Sequence, residues 1–212
     1  MSQLVQPPKQ DRSRRTQDRI LRATEKLLRR EQFEAIPLRR IIDEAGTSIG
    51  SFYARFRDKN ALLPVLYAEY EGQLQERLVR LQRSTANARS LETVAGHIVE
   101  HFVDTYGEIP NLSRALYEYA TRSPRAAESR QLADRRYKQY KFLLDALLSF
   151  RDEITHDDPP RAVELALYFM VVACRNRLFY PLAPQTRIVK ISKQELKQEL
   201  VRQLTGYLRN PT

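Results

Sequence analysis

The stretch Ala45-Gly46-Thr47-Ser48-Ile49-Gly50-Ser51-Phe52-Tyr53-Ala54-Arg55-Phe56-Arg57-Asp58-Lys59-Asn60-Ala61-Leu62-Leu63 decides how this chain is read. Gly46 separates two short helical patterns, about 37–45 and about 48–56. Pro37 sits in the first turn of the earlier one, with Ile41 and Ile42 inward. Ser48 is a good N-cap for the later one. Phe52 and Phe56, four residues apart, share a face and should pack inward. Gly50, Ser51, Tyr53, Ala54 and Arg55 are then left outward, and they are small or polar. A short helix, a tight turn and a second short helix is how many proteins lay a helix into the major groove. Small outward residues let the backbone approach a duplex, while a tyrosine hydroxyl and a guanidinium can reach phosphates. Lys59 opens the next helix, where a cation and free N–H groups together favour an anion. The same geometry occurs in proteins that bind no DNA, so an ordinary connecting helix with an aromatic anchor is the competing reading.

The charge points the same way. Lys plus Arg number 36 against 26 Asp plus Glu, a formal net charge of +10 over 212 residues. Residues 1–60 hold 14 basic against 8 acidic residues, a net of +6, so most of the excess lies in just over a quarter of the chain. Such an excess favours a polyanionic partner, either nucleic acid or an acidic membrane surface. The one cysteine, Cys174, excludes an internal disulfide framework and a multi-cysteine zinc site. The first fifteen residues hold no apolar stretch suited to a signal peptide. The longest apolar run, 165–174, is too short to span a bilayer. The expectation is a cytoplasmic protein with no membrane partner.

The chain reads all-α. It has only six glycines, no Asn-Gly or Asp-Gly hairpin signal and no sustained two-residue alternation. About nine helices are expected: 13–31, 37–45, 48–56, 59–84, 90–106, 111–122, 125–152, 160–178 and 192–209. Pro64 should bend the fourth near its start. The seventh should turn Leu132, Tyr140, Leu143, Leu144 and Leu147 inward. Three regions follow: a flexible basic arm over 1–12, a basic three-helix unit over 13–63 that is the candidate for DNA binding, and a bundle of about six helices over 64–212. The basic residues from Lys9 to Arg15 follow Pro7-Pro8; such a stretch can lie along the minor groove or attract phosphates nonspecifically, and Arg14 and Arg15 are its candidate contacts.

Residues 13–63 resemble the N-terminal DNA-binding domain of the tetracycline-repressor (TetR) family of bacterial regulators. The residues that carry the resemblance are Ile20-Leu21, Ala23, Leu27, Phe33-Glu34-Ala35, Leu38, Ile41, Glu44-Ala45-Gly46, Ser48, Gly50, Phe52-Tyr53, Phe56, Lys59 and Ala61-Leu62-Leu63. The resemblance implies a non-enzymatic, homodimeric repressor that leaves a near-palindromic operator when a small ligand binds the C-terminal region. On this reading the DNA contacts come from Arg14, Arg15, Leu38, Ser48, Ile49, Gly50, Ser51, Tyr53, Ala54, Arg55 and Lys59. Three departures stand out. Gln32 replaces the usual glycine after the first helix, at a cost of about 1 kcal/mol if the left-handed conformation is kept. Ile36 and Pro37 replace a capping, phosphate-binding start of the second helix. Ile49 replaces a residue that is often basic, shifting readout toward backbone approach, thymine-methyl contact and DNA shape.

The remaining signals concern partners. Helix 160–178 is apolar nearly all round at its centre and must be covered by several neighbours. With 192–209, whose Leu196, Leu200, Leu204 and Leu208 are four apart, it could form a four-helix dimer interface; the alternative is that both are monomer core. Phe102, Tyr106, Leu116, Tyr117, Tyr140 and Leu144 could line a pocket for an apolar or aromatic effector; the competing reading is that they are plain core, since pockets and cores use the same residue types. His97 and His101 match an H-x-x-E-H peptidase pattern, but no third ligand can be placed. No metal or cofactor is expected, and Cys174 reads as a small buried hydrophobe. The alternative of another class is a helical small-molecule-binding or protein-interaction module that does not bind DNA.

Overall fold

The computed structural model describes residues 9–122 and 126–210. Ten α-helices and three 3-10 turns occur among them, with no strand. The helices are α1 (Lys9–Leu28), α2 (Leu38–Glu44), α3 (Ile49–Tyr53), α4 (Leu62–Ala86), α5 (Leu91–Gly107), α6 (Pro110–Arg122), α7 (Ala126–Leu148), α8 (Pro159–Phe179), α9 (Pro184–Ile188) and α10 (Lys193–Leu208). Their starts are written in side chains. Ser48, Ser90, Asp158 and Ser192 each accept a backbone N–H from the first turn of their helix. Ser192 and Glu195 do so reciprocally, as a capping box. Pro110, Pro159 and Pro184 occupy first-turn positions whose N–H would have no helical partner.

Several boundaries differ from the sequence reading. Helix α1 begins at Lys9, so Lys9 to Arg15 continue the first helix instead of preceding it as an arm. Residues 1–8, and the side chain of Leu132, lie outside the described residues. Helix α4 starts at Leu62 after a 3-10 turn, which places Pro64 in its first turn. There a missing N–H breaks no intrahelical bond, so the expected cause of a bend is absent. The second turn of α3 is not completed: the helix ends at Tyr53, with Ala54 as its C-cap. The five-residue α9 has no counterpart in the sequence reading.

Two hydrophobic cores organise the helices. The first joins Ile20, Leu21 and Leu28 of α1, Ile41 and Ile42 of α2, Phe52 of α3, and Leu62 and Leu66 of α4. It also takes Ile109 and, from α6, Leu112, Ala115 and Leu116. The packing unit therefore does not close at residue 63. Asn111 Nδ2 adds a 3.0 Å hydrogen bond to the Leu28 carbonyl at the end of α1. The second core is built by α4, α5, α7, α8 and α10. Leu196, Leu200, Leu204 and Leu208 of α10 are all buried in it, against α5 and α8 of the same subunit. That stripe is monomer core. On α8, Met170, Val171 and Cys174 are buried too, whereas Tyr168 and Phe169 are 61% and 46% exposed.

Candidate nucleic-acid interface and interior cavity

The turn between α2 and α3 depends on Gly46, whose φ of +57° is the one positive φ among the described residues. An L side chain there would be strained, whereas glycine adopts this conformation freely. Ser48 then caps α3, its Oγ accepting from the Ser51 amide at 3.1 Å and donating to Ser51 Oγ at 3.0 Å. Fully buried Phe52 fixes the rotation of the helix, with its ring 5.3 Å from that of Phe56 and 5.5 Å from that of Tyr53. Ile49, Gly50, Tyr53 and Ala54 consequently lie on the outer side. Ile49 is 52% and Tyr53 54% exposed, unusual for large apolar side chains on a short, well-anchored helix.

Other expected site residues lie around this helix in different states. Arg14 and Arg15 are exposed on α1, and Leu38 is half-buried against the first core. Arg55 is partly committed within the chain: its Nη1 donates to the Ser51 carbonyl at 2.6 Å and its Nε to the Ser13 carbonyl at 3.1 Å. It ties the end of α3 to α1 and keeps only its remaining donors for a phosphate.

Lys59 is a correction. Its ammonium donates to the carbonyls of Phe33, Glu34 and Ile36 at 2.9, 3.3 and 3.0 Å and lies 4.7 Å from the centre of the Phe33 ring. All three of its donors are used in holding the turn between α1 and α2, so none is left for a DNA phosphate. Burial lowers its pKa, partly offset by Glu34. Gln32 also departs from expectation. It has φ −72° and ψ 147°, extended backbone, so no left-handed strain is carried there. Pro37 precedes α2 without a side-chain cap, and buried Ile36 supplies core packing in exchange. Replacing Lys59 with alanine is expected to lower stability by roughly 2 kcal/mol, the order of a charge-assisted hydrogen-bond set. The salt slope of any DNA binding should stay unchanged. Thermal melts and binding titrations at several salt concentrations check this, and a shallower slope would return Lys59 to the phosphates.

Between the two cores lies a cavity of about 140 Å³. Phe102, Tyr106, Leu116, Tyr117 and Tyr140 line it as expected. Leu144 does not; it packs on the outside of the second core. The sequence reading missed Tyr67 and Tyr70 of α4, His101 and Thr105 of α5, and Arg175 and Phe179 of α8. A signal for Arg175 was available: it follows directly on the apolar run of α8, where a charge needs a reason.

His101 has its ring 5.4 Å from that of Phe102 and lies at the junction with a second, polar cavity lined by Arg77, Arg80, His97, Glu100 and Asp104. Burial, reinforced by Arg77 and Arg80 and opposed by Asp104, pushes its pKa down to about 4. It is a neutral imidazole at pH 7. His97 Nδ1 is buried without a hydrogen-bond partner, and no group of three or more metal-ligating side chains occurs among the described residues.

Because the folded pKa of His101 lies below its ordinary value of 6.5, the unfolded chain takes up the proton first. Stability is therefore lost as pH falls from about 6.5 toward about 4. Between about pH 7.5 and about pH 5 the loss should be roughly 2 kcal/mol. Glu25 and Glu69, raised by burial, act in the opposite sense. The comparison is therefore between the wild type and His101→Gln, whose stability should depend less on pH by that amount. Parallel curves would show that the imidazole is solvated.

Residues 20–66 match the family model described as bacterial regulatory proteins, tetR family. No curated protein matches the sequence. The whole fold is shared with solved structures. A bacterial regulatory protein in the tetR family from Rhodococcus RHA1 aligns with a TM-score of 0.63 at 16% identity, covering 91% of this chain and 96% of that one. A TetR-family transcriptional regulator from Bordetella parapertussis 12822 gives 0.62 at 15% identity, covering 89% and 93%. The transcriptional regulator FadR from Bacillus subtilis, in complex with stearoyl-CoA, gives 0.58 at 15% identity, covering 90% and 98%. Among the described residues, no helix is long and apolar enough to cross a membrane.

Proposed function

We propose that this chain, a tetR-family protein through its residues 20–66, is a repressor that binds a near-palindromic operator as a homodimer and is released by a small ligand. The observation that carries the reading is the outer face of α3. Ile49, Gly50, Tyr53 and Ala54 are left uncovered on a helix held rigidly by Ser48, Phe52 and Arg55. Glycine and alanine allow the backbone to approach base edges, Ile49 suits a thymine methyl, and Tyr53 and Ser51 offer hydroxyls to phosphates. Exposed Arg14 and Arg15 on α1 extend the basic surface.

The dimer contact we place on the outer face of α8, where Tyr168 and Phe169 are exposed beside Ala173. Helix α10 would contribute its outward residues, such as Gln198, Arg202 and Gly206, since its leucines are already buried. In a two-fold pair the α3 helices should sit about 34–36 Å apart, one turn of DNA. The cavity beside α6 supports a ligand response. Leu116 belongs to the first core and also lines the cavity, so a ligand that moves α6 must repack the core that seats α3. A protein of this fold, FadR from Bacillus subtilis, has been solved with stearoyl-CoA; for this chain that supports a ligand-binding bundle, not that ligand.

The test is a gel-shift titration against the DNA flanking its own gene at several salt concentrations. Sequence-specific binding is expected, with Arg15→Ala making the logarithmic salt slope shallower by about 0.9 for each phosphate it no longer neutralises. Tyr53→Ala should weaken binding by one to about 3 kcal/mol. Binding that ignores both variants, or no specific binding at all, would hand the chain to the alternative of a ligand-binding module without DNA.

A further inference from the structure

The lining of the interior cavity contains no aspartate or glutamate among the described residues. It contains one guanidinium, that of Arg175, and the nearby His101 is neutral. Arg175 stacks over the Tyr117 ring, 4.7 Å from its centre, and donates from Nη1 to the Tyr117 hydroxyl at 2.7 Å. No carboxylate lies within ion-pair distance of it among the described residues, although fourteen ion pairs occur there. Its neighbour in the fold, Arg114, shows the contrast: that side chain is paired with Glu118 at 2.9 Å. A guanidinium has five donors, and the phenol takes one of them. A half-buried cation in an aromatic cavity, with no counter-charge among the described residues, is costly, and an anionic guest removes that cost.

A second polar group on the same wall is unpartnered. Thr105 is 5% exposed, and its Oγ1 is buried with no hydrogen-bond partner. The rest of the lining is mainly aromatic and aliphatic, including Phe102, Leu143 and Phe179. A cavity of about 140 Å³ is close to the size, roughly 150 Å³, that accepts a single benzene ring in an engineered apolar core.

We propose that the effector is a small organic acid, a carboxylate on an aromatic ring or short alkyl chain, held by the Arg175 guanidinium with its apolar body among the cavity's aromatic rings. This rests on the cavity being the effector site. It also gives the cavity a sign: acids are preferred over neutral molecules of the same shape. The Tyr117 ring and hydroxyl position Arg175, so the carboxylate meets a guanidinium already fixed in orientation.

The experiment uses the full chain and matched pairs of probes: phenylacetate with phenylacetamide, and octanoate with octanamide. Thermal shift and titration calorimetry are read for the wild type, Arg175→Gln and Arg175→Lys, with ligand-free melts confirming that each variant folds. The expected result is that each acid binds the wild type at least about tenfold more tightly than its amide. Arg175→Gln should erase that preference, and Arg175→Lys should keep part of it, because the charge is retained but the planar fork is lost. Amides binding as well as acids would overturn the anion assignment and leave the effector cavity standing. If neither acids nor amides shift the melt, the assignment fails together with the cavity reading. An acid preference that survives in Arg175→Gln would place the anion site elsewhere.

Discussion

Replacing Gly50 with leucine should weaken operator binding by at least about a hundredfold, roughly 2.7 kcal/mol, while leaving the fold intact. A Cβ at Gly50 meets no other atom of the described residues within 4 Å outside its own helix backbone and chain neighbours, so there is room for a side chain there. Its φ is not positive either, so backbone strain does not demand glycine. Glycine inside a helix costs about 0.5–1 kcal/mol relative to alanine. The chain carries that cost in a five-residue helix with no internal reason for it. A body outside the chain that must come close to the backbone supplies the reason, and the floor of a major groove is such a body. Gly50→Ala should therefore raise thermal stability slightly and lower DNA affinity, an opposed pair of effects that ordinary destabilisation cannot mimic. Melting curves and gel shifts on both variants read it directly. Unchanged affinity in Gly50→Leu would mean that this side of α3 does not enter the groove.

The second large effect is expected at Leu116. The side chain is 1% exposed, sits in the core that holds α1 to α4 together, and also lines the cavity. Truncating a buried leucine costs about 2–5 kcal/mol, and the lower half of that range suits a side chain that already faces a cavity. Leu116→Ala should thus destabilise the protein by about 3 kcal/mol and loosen α3 with it. A fragment ending at residue 63 should fail to fold, because Leu66, Ile109, Leu112, Ala115 and Leu116 would be missing from its core. If that fragment gives a cooperative melt, α6 is an accessory and the route from cavity to α3 must run elsewhere. The same experiment decides whether the boundary expected at residue 63 is a folding boundary.

What could be read from the chain differed between these sites for a physical reason. The α2–Gly46–α3 segment is local. A left-handed glycine, a serine cap and a Phe52–Phe56 pair act within one or two turns, so their spacing carries the geometry. Pro7-Pro8 suggests a break ahead of Arg14 and Arg15, yet α1 already includes Lys9. Lys59 was legible as a cation near a helix start but not as a cation already spent. Its three acceptors come from residues 23 to 26 positions earlier, and only the folded turn brings them to it. Leu144 failed for the mirror reason: helical periodicity placed it on an inward face, and the position of α7 decided which interior that face met.

From its order of residues alone, the chain determined an all-helical fold, the helix caps and the helix–turn–helix segment around Gly46, because each depends on contacts a few residues apart. Tertiary packing alone decided that α6 completes the N-terminal core and that the α10 leucines are used up within the subunit. It alone brought Arg175 into an aromatic chamber that holds no carboxylate among the described residues. Those outcomes depend on which distant helices meet, and a pattern of apolar spacing specifies a buried face without naming its partner.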